Sequence, residues 1–235
     1  MSITIVIPTY NERENIEILI SRIAALHIPE ANIIVVDDAS PDGTGAVVTS
    51  LHETYPFVSL IARNGKRGLG SAYVEGFTRA LAQGADIIIE MDADLSHAPE
   101  DIPRLLSAID EGADVAIGSR RVPGGQIVGW HWRRHLASTC ATWLSRALLG
   151  FSTRDITSGF RAFRRSALIA IHFADVRSDG YAFQEEMLLR CERGKFIITE
   201  IPVVFTDRVR GESKLGVREV ISFFITLMRL WIHRH

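Results

Sequence analysis

The sequence predicts an α/β fold, a mostly parallel sheet covered by helices on both faces. Three observations predict it. Short apolar runs alternate with helical patterns through the first half of the chain. The runs are almost continuously apolar, as strands buried on both faces must be. Polar clusters follow the first, second and fourth runs, at the carboxyl ends of the strands where such sheets gather ligands.

The elements follow in order. Residues 3–7, 33–36, 58–62, 87–91 and 115–117 are β-branched or otherwise apolar runs of strand length. Between them, residues 14–26, 44–54, 71–83 and 100–111 carry the helical period. In the second half, Pro123-Gly124-Gly125 and residues 130–134 are expected to be loop. Leu136, Cys140, Trp143, Leu144, Ala147 and Leu148 recur at helical spacing. A polar segment, 155–161, precedes an expected helix over 180–191 and one or two strands within 196–205. Residues 217–231 are expected to form a terminal helix. Nothing resembles a linker, so residues 1–235 are expected to form one domain with an elaborated second half.

At 235 residues the chain is long enough to bury a full core. A net charge of -2 gives no general pull toward nucleic acid. Cys140 and Cys191 lack metal-ligand spacing and are expected to be free thiols in a reducing compartment. The N-terminus has the pattern of a short strand rather than a signal peptide. No run approaches the ~18 apolar residues of a membrane span.

The most informative stretch is Met91-Asp92-Ala93-Asp94-Leu95-Ser96-His97. Two carboxylates at i and i+2 at the end of a strand point to one side and repel, which makes sense with a cation between them. Carboxylate oxygens suit Mg²⁺ or Mn²⁺, ions that keep positions open for phosphate oxygens. An isolated Asp-x-Asp is better read as a solvated acidic turn; the surrounding clusters reverse that preference in favour of the metal. Asp37 and Asp38 close the second strand: one is expected to cap the following helix and Asp38 to face a ribose or base. Tyr10 and Glu12 stand at the mouth of the first strand and can stack on and bond a base, although Glu12 also suits a helix start. Gly68-Leu69-Gly70 resembles half of a dinucleotide fingerprint but does not follow the first strand, and its glycines fit a turn entering a helix. Arg120 follows the fifth strand on the same rim. Arg134, Arg208, Arg210 and Lys214 add cations whose geometry suits phosphate, or simply a solvated surface.

Together these residues resemble glycosyltransferase family 2, inverting enzymes of the GT-A fold with a Rossmann-like sheet, and within it the dolichyl- or polyprenyl-phosphate mannose synthases. The motifs "VIPTYNERENI", "VVDDASPDGT", "RGLGSAY", "EMDADLSHAPE", "IGSRRVPGG", "WHWRRHLAS", "DITSGFRAFRR", "GYAFQEEML" and "DRVRGESKL" occur in order across nearly the whole chain. The resemblance implies GDP-mannose as donor, a polyprenyl or dolichyl monophosphate as acceptor, and Mg²⁺ or Mn²⁺ as cofactor. It implies a guanosine pocket of Pro8, Tyr10, Glu12, Val36 and Asp38, with Asp92, Ala93 and Asp94 at the metal and diphosphate sugar. Ser96 stands where some relatives carry Gln, and both direct and water-mediated metal contact stay open. Arg120 and Arg134 resemble the pair gripping the acceptor phosphate, Arg120 also lying on the donor side, and Arg208 and Lys214 resemble donor-phosphate contacts. Asp94, Arg120 and Arg134 are thus placed nearest the reacting atoms. Arg121 departs from the Tyr of many relatives.

A phosphate monoester is mostly deprotonated at neutral pH, its second pKa being ~6, so no protein base is required. Glu185 and Glu186 are accordingly expected to be polar helix residues within reach of sugar hydroxyls. The apolar side chains of residues 217–235 suit an interfacial helix at the cytoplasmic face of a membrane, or equally a core helix. A membrane-anchoring partner protein is another route to the lipid. The rival donor is UDP-glucose or another UDP-sugar.

Overall fold

The computed structural model describes residues 1–176, 178, 180–207 and 227–232. The first half folds as its pattern demands: β1 (Ile3–Thr9), α1 (Arg13–Ala24), β2 (Ala31–Asp37), α2 (Thr44–Thr54), β3 (Val58–Ala62), α3 (Leu69–Ala82), β4 (Ile87–Glu90), α4 (Ile102–Asp110) and β5 (Val115–Ser119). Then come β6 (Gln126–Val128), α5 (Trp132–Leu149), β7 (Arg161–Arg164), α6 (Arg165–Ala170), α7 (Tyr181–Arg193), β8 (Ile198–Pro202) and β9 (Val204–Thr206). Residues 227–232 are helical.

One seven-stranded sheet runs β3-β2-β1-β4-β7-β5-β8, and β6 pairs with β9 in a small second sheet. β1 pairs in parallel with β2 and β4, β2 with β3, and β5 with β8. β7 alone is antiparallel in the large sheet, wedged between β4 and β5. One apolar core fills the side of α1 and α4, with Ile5, Ile7, Ile16, Leu19 and Leu105; the other fills the side of α3 and α7, with Val6, Val36, Phe77 and Phe183. Gly76 sets the spacing on that second side: an added Cβ would overlap Val6, so the bare backbone lets α3 lie against the sheet.

Several expectations need correction. The fourth strand stops at Glu90, not Met91, so the carboxylate pair lies in a turn and the strand's period of two does not orient it. Residues 132–134 open α5 rather than forming loop. The polar segment ends inside the sheet, because Arg161 is the first residue of β7. A four-residue strand with arginines at both ends carries no strand pattern. It is tolerated because buried Arg161 faces buried Glu90 at 3.5 Å and donates to the Gln184 and Ile156 carbonyls. Cys140 and Cys191 are both free, exposed and buried respectively.

Candidate active site

The carboxyl ends of β1, β2, β4 and β5 and the start of β7 share one rim, and the sequence-predicted residues gather there. At its first corner Asp37 braces a turn, accepting hydrogen bonds from Thr9 Oγ1 at 2.8 Å and the Ser40 backbone N–H at 3.0 Å. The expected capping of α2 falls instead to Asp42, which accepts the Thr44 N–H at 2.9 Å. Asp38, expected to face a ligand, is buried and already engaged. It pairs with the Arg63 guanidinium at 2.6 Å and accepts the backbone N–H groups of Arg67 and Gly68, both at 3.1 Å. These bonds draw loop 63–68 over the rim and set Lys66 Nζ 4.0 Å above the Tyr10 ring. Glu12 sits beside them, its N–H donating to Thr44 Oγ1 and its carboxylate accepting from Asn15. Pro8 is buried in β1 opposite Val36. The Val36 side chain is fully buried under α3 and supports the rim from below.

The second corner is the turn after β4. Tyr73, held in the core by stacking on Phe183 at 5.6 Å, donates its hydroxyl proton to Asp92 Oδ1 at 3.1 Å. Burial, and then the Asp92 charge, raise the Tyr73 phenol well above its ordinary value, so it stays a donor. On the other side an added Cβ at Gly159 would lie 3.2 Å from Asp92 Oδ2, so a bare backbone leaves that oxygen room. Leu95 adopts a left-handed φ of 61°, and the Ser96 N–H returns to Asp94 Oδ1 at 3.0 Å. Ala93, Asp94 and Ser96 are buried, and the Ser96 hydroxyl oxygen has no hydrogen-bond partner. Two carboxylates and an orphaned hydroxyl make an all-oxygen set that fits a hard divalent cation. Among the described residues no group of three or more His, Cys, Asp or Glu assembles as a metal cage. Below the turn, burial pushes Glu90 up to about 8 against the opposing charge of Arg161. His97 is pushed down to about 4 by burial and by the charge of Arg120, so it is neutral at physiological pH.

The third corner carries the arginines. Arg120 follows β5 directly and clamps the buried Asp155 through Nε at 2.7 Å and Nη2 at 2.6 Å, with a further bond to Thr157. Burial raises the Asp155 carboxyl, but the Arg120 charge and hydrogen bonds outweigh it and hold the group below its ordinary value. Arg134, on the first turn of α5, donates to both oxygens of Asp207 at 2.9 Å. Each guanidinium also lies over an aromatic face, Arg120 over Phe205 at 5.1 Å and Arg134 over Trp130 at 4.2 Å. Arg121 turns away to Ser138 and Thr139 on α5. Arg208, Arg210 and Lys214 lie outside the described residues.

The structure also corrects Glu185 and Glu186. Glu185 is fully buried and pushed up to about 8 by that burial, so it has no surface to offer a sugar. Glu186 accepts hydrogen bonds from Ser178, Arg190 and Arg229 and ties residues 227–232 to α7. Sequence reasoning missed Arg63, Tyr73, Trp130 and Phe205 as site residues. No periodicity marks them, since their roles arise from contacts with residues far along the chain. Asp155 and Asp207 were better signposted, each opening one of the motifs quoted above.

Known proteins resemble this chain over most of its length. Residues 4–171 match the family model described as glycosyl transferase family 2. The chain is 48% identical to polyprenol monophosphomannose synthase of Mycolicibacterium smegmatis, across 90% of this chain and 80% of that protein. It is 44% identical to undecaprenyl-phosphate mannosyltransferase of Micrococcus luteus, across 92% of this chain and 88% of that one. It is 40% identical to dolichol-phosphate mannosyltransferase of Pyrococcus furiosus, across 98% of this chain but only 64% of that protein. Among solved structures, a Pyrobaculum calidifontis mannosyltransferase in complex with GDP-Man and Mn²⁺ superposes with a TM-score of 0.64 at 22% identity, covering 97% of this chain and 64% of that one. At that identity it shows the GT-A type of fold alone. The chain therefore belongs to glycosyl transferase family 2 and is a glycosyltransferase.

Proposed function

We propose that this enzyme transfers mannose from GDP-mannose to a polyprenyl or dolichyl monophosphate, with inversion at the anomeric carbon and with Mg²⁺ or Mn²⁺. The observation that carries it is the meeting on one rim of a carboxylate turn and two aromatic-backed arginines, Arg120 and Arg134. Relatives at 40–48% identity named for polyprenyl-phosphate mannose synthesis support the same choice of substrates. Tyr10, Glu12 and Asp38, with loop 63–68, would receive the guanosine. Pro8 and Val36 would form the floor beneath it. Asp92 and Asp94, with Ser96 directly or through water, would hold the metal, and Ala93 would border the diphosphate sugar. The bound ion would supply positive charge to the departing diphosphate.

The chemistry then asks the protein for placement rather than proton transfer. A phosphate oxygen of the lipid forms a bond to the anomeric carbon as the bond to GDP breaks, and the electron pair leaves on GDP. Arg120 and Arg134 hold the attacking anion where bare charge would repel it. Arg208 and Lys214 would stabilise the donor diphosphate. Residues 1–235 would form one catalytic domain. It would act from the cytoplasmic face as a peripheral enzyme. No helix among the described residues is long and apolar enough to cross a membrane. Exposed Trp132, Leu136 and Trp143 on α5, and Met228, Trp231 and Ile232 on the last helical segment, offer apolar surface to lipid. A membrane-anchoring protein is an alternative tether.

The test is transfer to polyprenyl phosphate in vesicles, with GDP-mannose competing against UDP-glucose in the presence of metal. Mannosyl lipid is expected. Exclusive use of the UDP-sugar, or no transfer at all, overturns the proposal. In the same vesicles, removal of residues 217–235 is expected to reduce flotation with the lipid; unchanged flotation rejects the interfacial helix.

A further inference from the structure

One aromatic side chain touches both the carboxylate corner and the arginine corner. Phe205, on β9, meets the His97 ring edge-on at 5.1 Å and the Trp130 ring edge-on at 5.8 Å. The Arg120 guanidinium carbon lies over its face at 5.1 Å. His97 follows Asp94 by three residues and packs on Phe160 at 5.2 Å. Trp130 in turn underlies Arg134. The main chain repeats the connection. The Thr206 N–H donates to the Ser96 carbonyl at 3.0 Å, and the Asp207 N–H donates to the Val128 carbonyl at 2.8 Å. A continuous series of rings, Phe160–His97–Phe205–Trp130, thus runs from the carboxylate turn to the second arginine, with Phe205 at its junction.

We infer that Phe205 is a positioning residue that fixes the span between the carboxylate turn and the two arginines, and so the line along which the lipid phosphate meets the sugar. The inference rests on the mannosyl transfer proposed above. Its physical basis is directional. Edge-to-face rings resist rotation in a way that aliphatic packing does not. A guanidinium stacked on a ring face keeps its plane fixed while its edge remains available for oxygen ligands. Two guanidiniums aimed at one anion repel each other, and each here is held by a carboxylate and a ring. An in-line displacement is sensitive to placement, a shift of about 1 Å costing on the order of a hundredfold in rate.

The experiment replaces Phe205 with Leu, which keeps apolar volume but has neither face nor edge, and with Tyr, which keeps both. The full chain is assayed with GDP-mannose and polyprenyl phosphate, and GDP binding with Mn²⁺ is measured by calorimetry. Phe205→Leu is expected to raise the KM for the lipid phosphate and lower kcat, at least tenfold together, with GDP binding within twofold of the parent. Phe205→Tyr is expected to restore both constants. Unchanged constants in the Leu variant overturn the inference, and so does a loss of GDP binding as large as the loss of activity, since that marks a merely structural role. If Phe205→Leu does not fold, Trp130→Leu decides by the same criteria. Absence of mannosyl transfer by the parent protein instead overturns the underlying function and is visible before any variant is made.

Discussion

The two halves of the rim are built in different ways. On the side proposed for the donor each group stands at or just after the end of its own strand: Tyr10 after β1, Asp37 at the end of β2 and Asp38 after it, Asp92 and Asp94 after β4. On the side proposed for the acceptor only Arg120 follows its strand directly, and the contacts that hold the groups join residues far apart in sequence. Arg120 pairs with Asp155, Arg134 with Asp207, and Phe205 reaches back to His97. A site set by strand ends is fixed by the sheet itself. A site set by distant pairs depends on every segment that brings the partners together, and its pieces can fail separately.

The largest effect that tests this contrast is expected at the carboxylate turn. Asp92→Ala should lower transfer by on the order of 10³-fold, measured as mannosyl lipid formed, and should cost on the order of 1–3 kcal/mol of stability because it leaves the buried Tyr73 hydroxyl without its acceptor. Near-normal turnover would end its assignment to the metal. The acceptor side should divide. Arg120→Ala strands Asp155 in the core without its cation and should cost on the order of 3–5 kcal/mol of stability. Arg134→Ala breaks a half-exposed pair worth about 0–1 kcal/mol, yet should raise the KM for the lipid phosphate. Equal melting temperatures for the two variants would show that the pairs are not different in kind. A smaller effect should follow Tyr73→Phe, which keeps the stacked ring and deletes the hydrogen bond to Asp92. Mn²⁺ affinity in the presence of GDP should weaken roughly tenfold, as for other groups that orient metal ligands. Electron paramagnetic resonance of free Mn²⁺ measures it, and unchanged affinity would leave Asp92 oriented by the turn alone.

This difference also explains what the sequence could reveal. The strands and helices of the first half were legible because apolar periodicity is local, and their bounds shift by only a few residues: 14–26 became Arg13–Ala24 and 115–117 became Val115–Ser119. The Asp92–Asp94 turn stood out in the sequence because two carboxylates at close spacing after an apolar run repel and call for a compensating partner. β7 did not, because its strand character comes from its neighbours and from the Glu90–Arg161 pair rather than from its own four residues. The face taken by Val36 was not legible either: a nearly continuous apolar strand does not say which side chains lie toward which helix layer, and Val36 lies toward α3. Phe205 lay in a segment whose strands were expected, but its contacts with His97 and Trp130 require a tertiary fold to exist.

The antiparallel wedge has a consequence for biogenesis. β4 and β5 never touch, because β7 separates them. As the polypeptide leaves the ribosome, both strands are complete long before residue 161 appears, and each then has an unmatched edge. Such edges invite mispairing with other nascent chains. Arg161 faces Glu90 across that pairing, so a newcomer strand with an apolar residue at the same register would leave a buried carboxyl with no polar neighbour there, which disfavours the wrong insert.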